Sequence, residues 1–357
     1  MIHLEELGFG PYFEAQLKIW PAHAYVPARV ASEHRERYEV WSETGVRMAQ
    51  LAGRLRSELD SSGLPRAGDW VGLRPDPDAD QIAMIERVFE RRTAFTRGAA
   101  GPEAREQVLA ANVDIVFVVC GLDADYNVRR IERYMARIWA SGAQPAVILS
   151  KADVCDATEA RLSEIEGHSP GVPVYATSIP QSTGLSEIRS LIRPGLTAAF
   201  VGSSGAGKSS LINALLREER MATAAVRAGD SRGRHTTTRR QLFALPGGGL
   251  LLDTPGMREL QLLDDEGLAV AFPDIEEFAR SCRYRDCRHG REPGCAVKAA
   301  VSNGELAADR LEHYQKLNRE AQANQVRLDA HLRHKSERVW GKLIREGEEI
   351  RRRKSGR

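Results

Sequence analysis

The residues Gly202-Ser203-Ser204-Gly205-Ala206-Gly207-Lys208-Ser209-Ser210 carry the spacing G-x-x-x-x-G-K-S. That spacing suits phosphate. Its glycines let backbone N–H groups wrap phosphate oxygens, and the helix expected from Ser209 to Leu216 points its positive end at them. Lys208 would reach the β- and γ-phosphates, and the Ser209 hydroxyl would ligate Mg²⁺. Leu196–Val201, just before, is apolar enough for the buried strand such a loop requires.

Further residues complete a nucleotide site. Asp253-Thr254-Pro255-Gly256 is a D-x-x-G ending a strand, where Asp253 would hold Mg²⁺ and the Gly256 N–H would meet a γ-phosphate. Between the two motifs, Gly229–Thr238 is polar and basic, and one of its threonines is a candidate Mg²⁺ ligand. Ser150-Lys151-Ala152-Asp153 resembles the N/T-K-x-D guanine motif of GTPases. The Asp153 carboxylate would accept from N1–H and N2–H₂ of guanine, a donor pair adenine lacks, and the Lys151 stem would cover the base. Ser150 stands where asparagine is usual, which predicts looser binding. Ser178-Ile179 sits where GTPases place the short loop that meets guanine O6.

A second chemistry lies downstream. Cys282, Cys287, His289 and Cys295 form C-x₄-C-x-H-x₅-C, three thiolates and an imidazole suited to closed, structural, tetrahedral zinc. Arg280, Arg283, Arg285, Arg288 and Arg291, with Tyr284, make this a knuckle suited to RNA.

These groups need elements to hold them. Five strand-like pieces, Ala28–Ser32, Arg37–Val40, Val46–Leu51, Asp69–Leu73 and Ile82–Val88, predict a small closed barrel, with the OB-fold first choice. Residues 1–27 read as a loosely attached leader, with the barrel over 28–97, and 98–112 as a helical linker opening the next domain. Strands then alternate with helices: Val113–Val119, Val128–Ala140, Ala146–Leu149, Ala157–Glu166, Val172–Thr177 and Leu185–Ile192. The phosphate loop follows, then the pair Gln241–Leu245 and Leu250–Leu252, giving an α/β domain over 98–270. Residues 271–345 are expected to form a zinc-binding helical domain, and 346–357 a basic tail.

The 357-residue chain is 42% hydrophobic and 28% charged, with a formal charge of only +2. Positive charge concentrates at 333–357, where ten lysines and arginines face four glutamates. The N-terminus does not read as a signal peptide, and the longest apolar run, Ile115–Leu122, is too short to span a bilayer. No membrane association is expected. Five cysteines, three of them clustered, suggest a reducing compartment and a metal rather than disulfides.

The guanine motif here precedes the phosphate loop, whereas GTPases normally place it last. The order is that of a circular permutation closed near Arg193-Pro194-Gly195. With Gly68-Asp69-Trp70-Val71, Ala111-Asn112-Val113-Asp114, Gly233–Thr238 and Glu292-Pro293-Gly294-Cys295-Ala296-Val297, the chain over about 28–320 resembles the RsgA family (also YjeQ or YloQ), bacterial GTPases dependent on the small ribosomal subunit. The resemblance implies an OB-fold, a permuted GTPase domain and a zinc-containing helical domain. It implies a cytoplasmic, monomeric factor that binds GTP, GDP, the 30S subunit and 16S rRNA, and acts late in 30S maturation with 30S-stimulated hydrolysis. It places the catalytic histidine at His235 and the switch threonine, a Mg²⁺ ligand, at Thr237. Met257, after D-x-x-G, has no group to orient water, so His235 is the candidate from this chain. Two other readings stay open at this stage: a P-loop ATPase or kinase, and an RNA-binding scaffold that holds nucleotide without turnover.

Overall fold

The computed structural model describes residues 3–326 apart from 22, 36, 61, 76–80, 99–105, 219–239 and 254–265. Helix α1 (Pro11–Ile19) precedes a barrel of β1 (Val26–Glu33), β2 (Tyr38–Ser42), β3 (Gly45–Leu51), β4 (Trp70–Leu73) and β5 (Ala83–Val88), with the short α2 (Gly53–Glu58) between β3 and β4. β3 and β5 pair in parallel, the other neighbours antiparallel, and β4 returns to β1 to close the ring. Val30, Val40, Val71 and Ile85 fill it. All five expected strands are present.

Two expectations are corrected. The described part of 1–27 is not loosely attached: Leu7, Phe9 and Phe13 are buried, and Phe9 meets Trp70 edge-on at 4.8 Å and Phe89 at 5.7 Å. The sequence carried a signal for this helix, Pro11 at its first position with Phe9, Phe13 and Leu17 four apart. The described residues of 98–112 are strand rather than helix: Gly98 ends β6 (Ala94–Gly98), and β7 (Glu106–Ala111) pairs with it as a hairpin.

Arg29 joins these parts. Its fully buried guanidinium donates to the carbonyls of Leu7, Gly68 and Asn112, one each from the leader, the barrel and the start of the next domain. Burial lowers its pKa to about 10, and Asp114 opposes that shift, so it stays charged at neutral pH.

The α/β domain holds β8 (Ile115–Gly121), α3 (Val128–Ala140), β9 (Gln144–Ser150), α4 (Thr158–His168), β10 (Val174–Thr177), α5 (Leu185–Leu191), β11 (Thr197–Val201), α6 (Lys208–Leu216), β12 (Gln241–Ala244) and β13 (Leu250–Asp253). Its strand order is β10-β9-β8-β11-β13-β12, parallel except for β12. Both faces are covered, so successive side chains of β8 enter different cores. Val116, Val118 and Cys120 pack with Ile131, Met135 and Ile138 of α3, while Phe117 and Val119 pack with Ile188 of α5 and Leu211 and Leu215 of α6. The pairing Ser32↔Gln241 joins β1 to β12, so barrel and α/β domain share one sheet of eleven strands.

The C-terminal module comprises α7 (Glu266–Ala271), α8 (Pro273–Ala279), α9 (Ala296–Ser302) and a helix α10 over 308–326. It docks on α3. A Cβ at Gly267 would lie 1.8 Å from the Ala136 carbonyl oxygen, so only glycine permits the approach of α7. Beside it, the fully buried Glu132 carboxylate accepts from Arg129 of its own helix and Arg310 of α10. It also lies 3.1 Å from His168 Nδ1 and 3.5 Å from His313 Nε2. Arg310 in turn forms a forked pair with Asp274 and stacks over Phe272.

Candidate functional site

The phosphate loop leaves β11 at Gly202 (φ 138°), where an added Cβ would stand 2.1 Å from the Val119 carbonyl oxygen. Gly205 (φ 82°) and Gly207 (φ 90°) also occupy left-handed conformations, and α6 begins at Lys208. Lys208 Nζ folds back to the carbonyls of Gly202, at 2.9 Å, and Ser203. Ser204 and Gly205 are exposed at the loop's crest, Ala206 is buried beneath it, and Ser209 and Ser210 occupy the first turn of α6. This is the strand–loop–helix expected of the motif.

The base-recognition candidates end the neighbouring strands. Ser150 closes β9 and is 3% exposed. Its hydroxyl donates to the Ala206 carbonyl at 2.6 Å, so the serine braces the phosphate loop. Lys151 follows in a left-handed conformation (φ 60°), and Ala152–Val154 form a single 3-10 turn that carries Asp153. After β10, Ser178 Oγ donates to Asp153 Oδ1 at 2.7 Å, and the turn is closed by Ser178–Thr183 pairing. Ile179 of that turn packs against the core shared by α5 and α6. Gly184 (φ 75°) is required there, since a Cβ would meet the Ala176 carbonyl oxygen at 2.1 Å. Ser150–Asp153 and Ser178-Ile179, distant from 202–210 in sequence, thus gather at the carboxyl edge of the parallel sheet.

Asp253 ends β13, which runs parallel to β11 with Leu252 opposite Ala199, so it rises on the same edge as the phosphate loop. The Ser209 hydroxyl and the Asp253 carboxylate are hard oxygen donors of the kind Mg²⁺ takes. His235, Thr237 and Gly256 lie outside the described residues.

Two functional candidates escaped the sequence reading: Asp123 and Asp125, in the Gly121–Asn127 connection after β8. Lys151 Nζ donates to Asp123 Oδ2 at 2.6 Å, a bond that holds the Asp123 carboxyl below its usual range. Ser203 Oγ lies 2.5 and 2.6 Å from the two Asp125 oxygens. An acidic pair just past a strand of a parallel sheet was the available signal.

Cys282, Cys287, His289 and Cys295 come together as expected, with ligand atoms all within 4.8 Å of one another. Cys282 Sγ stands 3.9 Å from Cys295 Sγ and 3.7 Å from His289 Nδ1, with Cys295 Sγ to Nδ1 at 3.5 Å. A tetrahedron with arms of about 2.3 Å has edges of about 3.8 Å, so the set fits zinc. The five neighbouring arginines and Tyr284 are all exposed around this cluster, and the Arg283 guanidinium lies over the Tyr284 ring at 5.5 Å.

The RsgA GTPase family model matches residues 88–263. The small ribosomal subunit biogenesis GTPase RsgA of Opitutus terrae is 42% identical over 364 aligned residues, covering 99% of each chain. The chain belongs to the RsgA family. RsgA 2 of Vibrio parahaemolyticus is 42% identical, covering 96% of this chain and 92% of its own. Among solved structures, YjeQ from Thermotoga maritima superposes with a TM-score of 0.63 at 29% identity, covering 83% of this chain and 98% of its own. YloQ, described as a circularly permuted GTPase, gives 0.62 at 26% identity, covering 85% and 98%. This RsgA family member is therefore a GTP-hydrolysing enzyme with a barrel, a permuted GTPase domain and a C-terminal module whose Cys–His cluster could hold a metal.

Proposed function

We propose that the protein is a cytoplasmic, monomeric assembly factor that binds the 30S subunit through 16S rRNA and acts late in its maturation, with GTP hydrolysis stimulated by that subunit. The observation that carries the guanine reading is the Ser178–Asp153 bond beside a phosphate loop braced by Ser150. Asp153 accepts from N1–H and N2–H₂ of guanine, held to that angle by Ser178. Lys151 covers the base, and backbone N–H groups near Ile179 meet O6. The Gly202–Ser210 loop takes the phosphates of GTP or GDP. Ser209, Thr237 and Asp253 would hold Mg²⁺, which supplies charge neutralisation between the β- and γ-phosphates. The Gly256 N–H meets the γ-phosphate.

His235 orients the attacking water in this reading. Imidazole holds or removes a proton near neutral pH, and Met257 does neither. The Cys282–Cys295 knuckle holds one structural zinc and presents its exposed arginines and Tyr284 to RNA phosphates and bases. The names of the relatives, small ribosomal subunit biogenesis GTPases, support the partner assignment. Turnover of GTP measured against added 30S, 50S and 70S particles tests it. Stimulation by 30S above the other particles is expected. A rate indifferent to 30S overturns the partner assignment, and ATP competing as well as GDP overturns the base assignment.

A further inference from the structure

Two carboxylates of one connection, Asp123 and Asp125, reach the two halves of the nucleotide site. Lys151 and the phosphate loop are far apart in sequence, and this connection touches both. We propose that Asp123 and Asp125 are positioning residues for nucleotide, Asp123 aligning the lysine that covers the base and Asp125 fixing the start of the phosphate loop. The inference rests on the guanine reading above.

The Lys151 side chain is four methylenes long and about a third exposed (36%). Left free, it would lose rotamer entropy when a base packed against its stem. Here both ends are set beforehand. The backbone is held at φ 60°, and Nζ is tethered to Asp123 at 2.6 Å, leaving the apolar stem between them. Asp123 is itself locally ordered, because its Oδ1 accepts from the Asp125 N–H at 3.0 Å. Fixing a flexible group in its bound conformation raises affinity without a new contact to ligand.

Asp125 acts on the other half. It receives the Ser203 hydroxyl and is fixed by the Gly121 N–H at 3.2 Å and by Arg130 at 2.6 Å. The Arg130 charge matters: an unpaired carboxylate beside a phosphate site would repel the ligand. The loop is thus braced at two points, Ser203 by Asp125 and Ala206 by Ser150. The supports come from adjoining strands, since β8 and β9 pair through Gly121↔Ser150. A loop held in this way presents its N–H groups preorganised.

Double-mutant cycles on the full chain test the proposal: Asp123→Ala with Lys151→Ala, and Asp125→Ala with Ser203→Ala. Affinities are read with fluorescent GDP and, separately, with inorganic tripolyphosphate as a ligand that has no base. Asp123→Ala should weaken GDP about tenfold, leave tripolyphosphate unchanged, and add nothing once Lys151 is alanine. Asp123→Glu should recover part of the loss. Asp125→Ala should weaken both ligands by similar factors, and the loss should vanish in the Ser203→Ala background. Asp123→Asn and Asp125→Asn serve if an alanine variant fails to fold. Additive losses in both cycles, or an Asp123 effect equal on both ligands, overturn the proposal. Asp153→Asn is the separate control. If it fails to shift preference toward xanthosine nucleotides, the guanine reading has failed; if it shifts preference while the cycles are additive, only the positioning role has.

Discussion

The Ser150 hydroxyl donates to the Ala206 carbonyl at 2.6 Å, fastening the end of β9 to the phosphate loop. Serine stands where the guanine motif usually has asparagine and makes this brace. Ser150→Ala would leave the Ala206 carbonyl without this partner at a cost of about 1–3 kcal/mol. GDP affinity should fall about tenfold, the equivalent of 1.4 kcal/mol, while Ser150→Asn should bind at least as tightly as wild type. Calorimetric titration of both variants decides, and unchanged affinity in Ser150→Ala would remove the brace from the account.

Guanine selection through Asp153 predicts a base switch. Asp153→Asn should weaken GTP and improve xanthosine triphosphate, whose O2 accepts where the guanine N2 donates. Ser178→Ala should reduce discrimination between GTP and ATP, because Ser178 holds one Asp153 oxygen at 2.7 Å. Equal GTP affinity in wild type and Asp153→Asn would sink the assignment.

Metal removal should act locally. The cluster sits at the edge of a core containing Phe272, Ile275, Val297, Leu311, Tyr314 and Leu317, whose apolar contacts should hold without a metal. Chelation should loosen the Cys282–Cys295 segment and weaken 30S binding, while GDP affinity is retained. Elemental analysis should give one zinc per natively purified chain; its absence ends the structural-zinc proposal.

His235→Ala should keep GTP affinity and 30S binding and lose most of the stimulated rate, on the order of 10²-fold. Single-turnover hydrolysis with saturating 30S measures this directly. Full stimulation of the variant would assign water positioning to another group.

The Glu132 cluster predicts acid lability in two stages. Burial holds His313 below its ordinary 6.5 even though Glu132 opposes that shift, so the folded state keeps the ring neutral. The unfolded chain then binds the proton first, and stability falls as pH drops through 6.5. Burial alone would raise the Glu132 carboxyl, but His168 and Arg129, with the charge of Arg310, outweigh it and hold it below 4.5. That contribution is present above pH 4.5 and is lost as pH falls through the folded value. Glu132→Gln should cost about 1–3 kcal/mol at neutral pH, because it takes the buried carboxylate from Arg129 and Arg310 while Asp309 and Asp274 still pair with them. Thermal melts across this range should show the lower-pH loss in wild type and its absence in the variant.

Where pattern was local, the sequence was legible. Helix α3 falls at Val128–Ala140 as read, because its apolar face repeats at helical spacing. The parallel strands of the α/β domain were found within a few residues because buried parallel strands are nearly continuous apolar runs, and the barrel strands because short strand-like pieces alternate there with turns. The metal ligands were legible because three cysteines and a histidine within fourteen positions carry their own chemistry. What stayed hidden depends on distant partners. The leader packs because Trp70 and Phe89 offer Phe9 and Phe13 a surface, and neither lies near them in sequence. The hairpin Ala94–Gly98 with Glu106–Ala111 has an alanine-rich second strand with weak strand propensity. Glu132 reads as one more charged position on a surface helix until α10 brings Arg310 over it.

The strand order also sets a timetable for synthesis. β8 lies between β9 and β11, yet β11 leaves the ribosome more than seventy residues after β8. Until Thr197–Val201 emerges, the nascent chain presents an unpaired edge along Ile115–Gly121. The residues proposed to bind the base are thus made before the phosphate loop. At about 5–20 residues per second the gap lasts several seconds. A ribosome paused within that interval would leave the edge open to chaperones, or to another nascent copy.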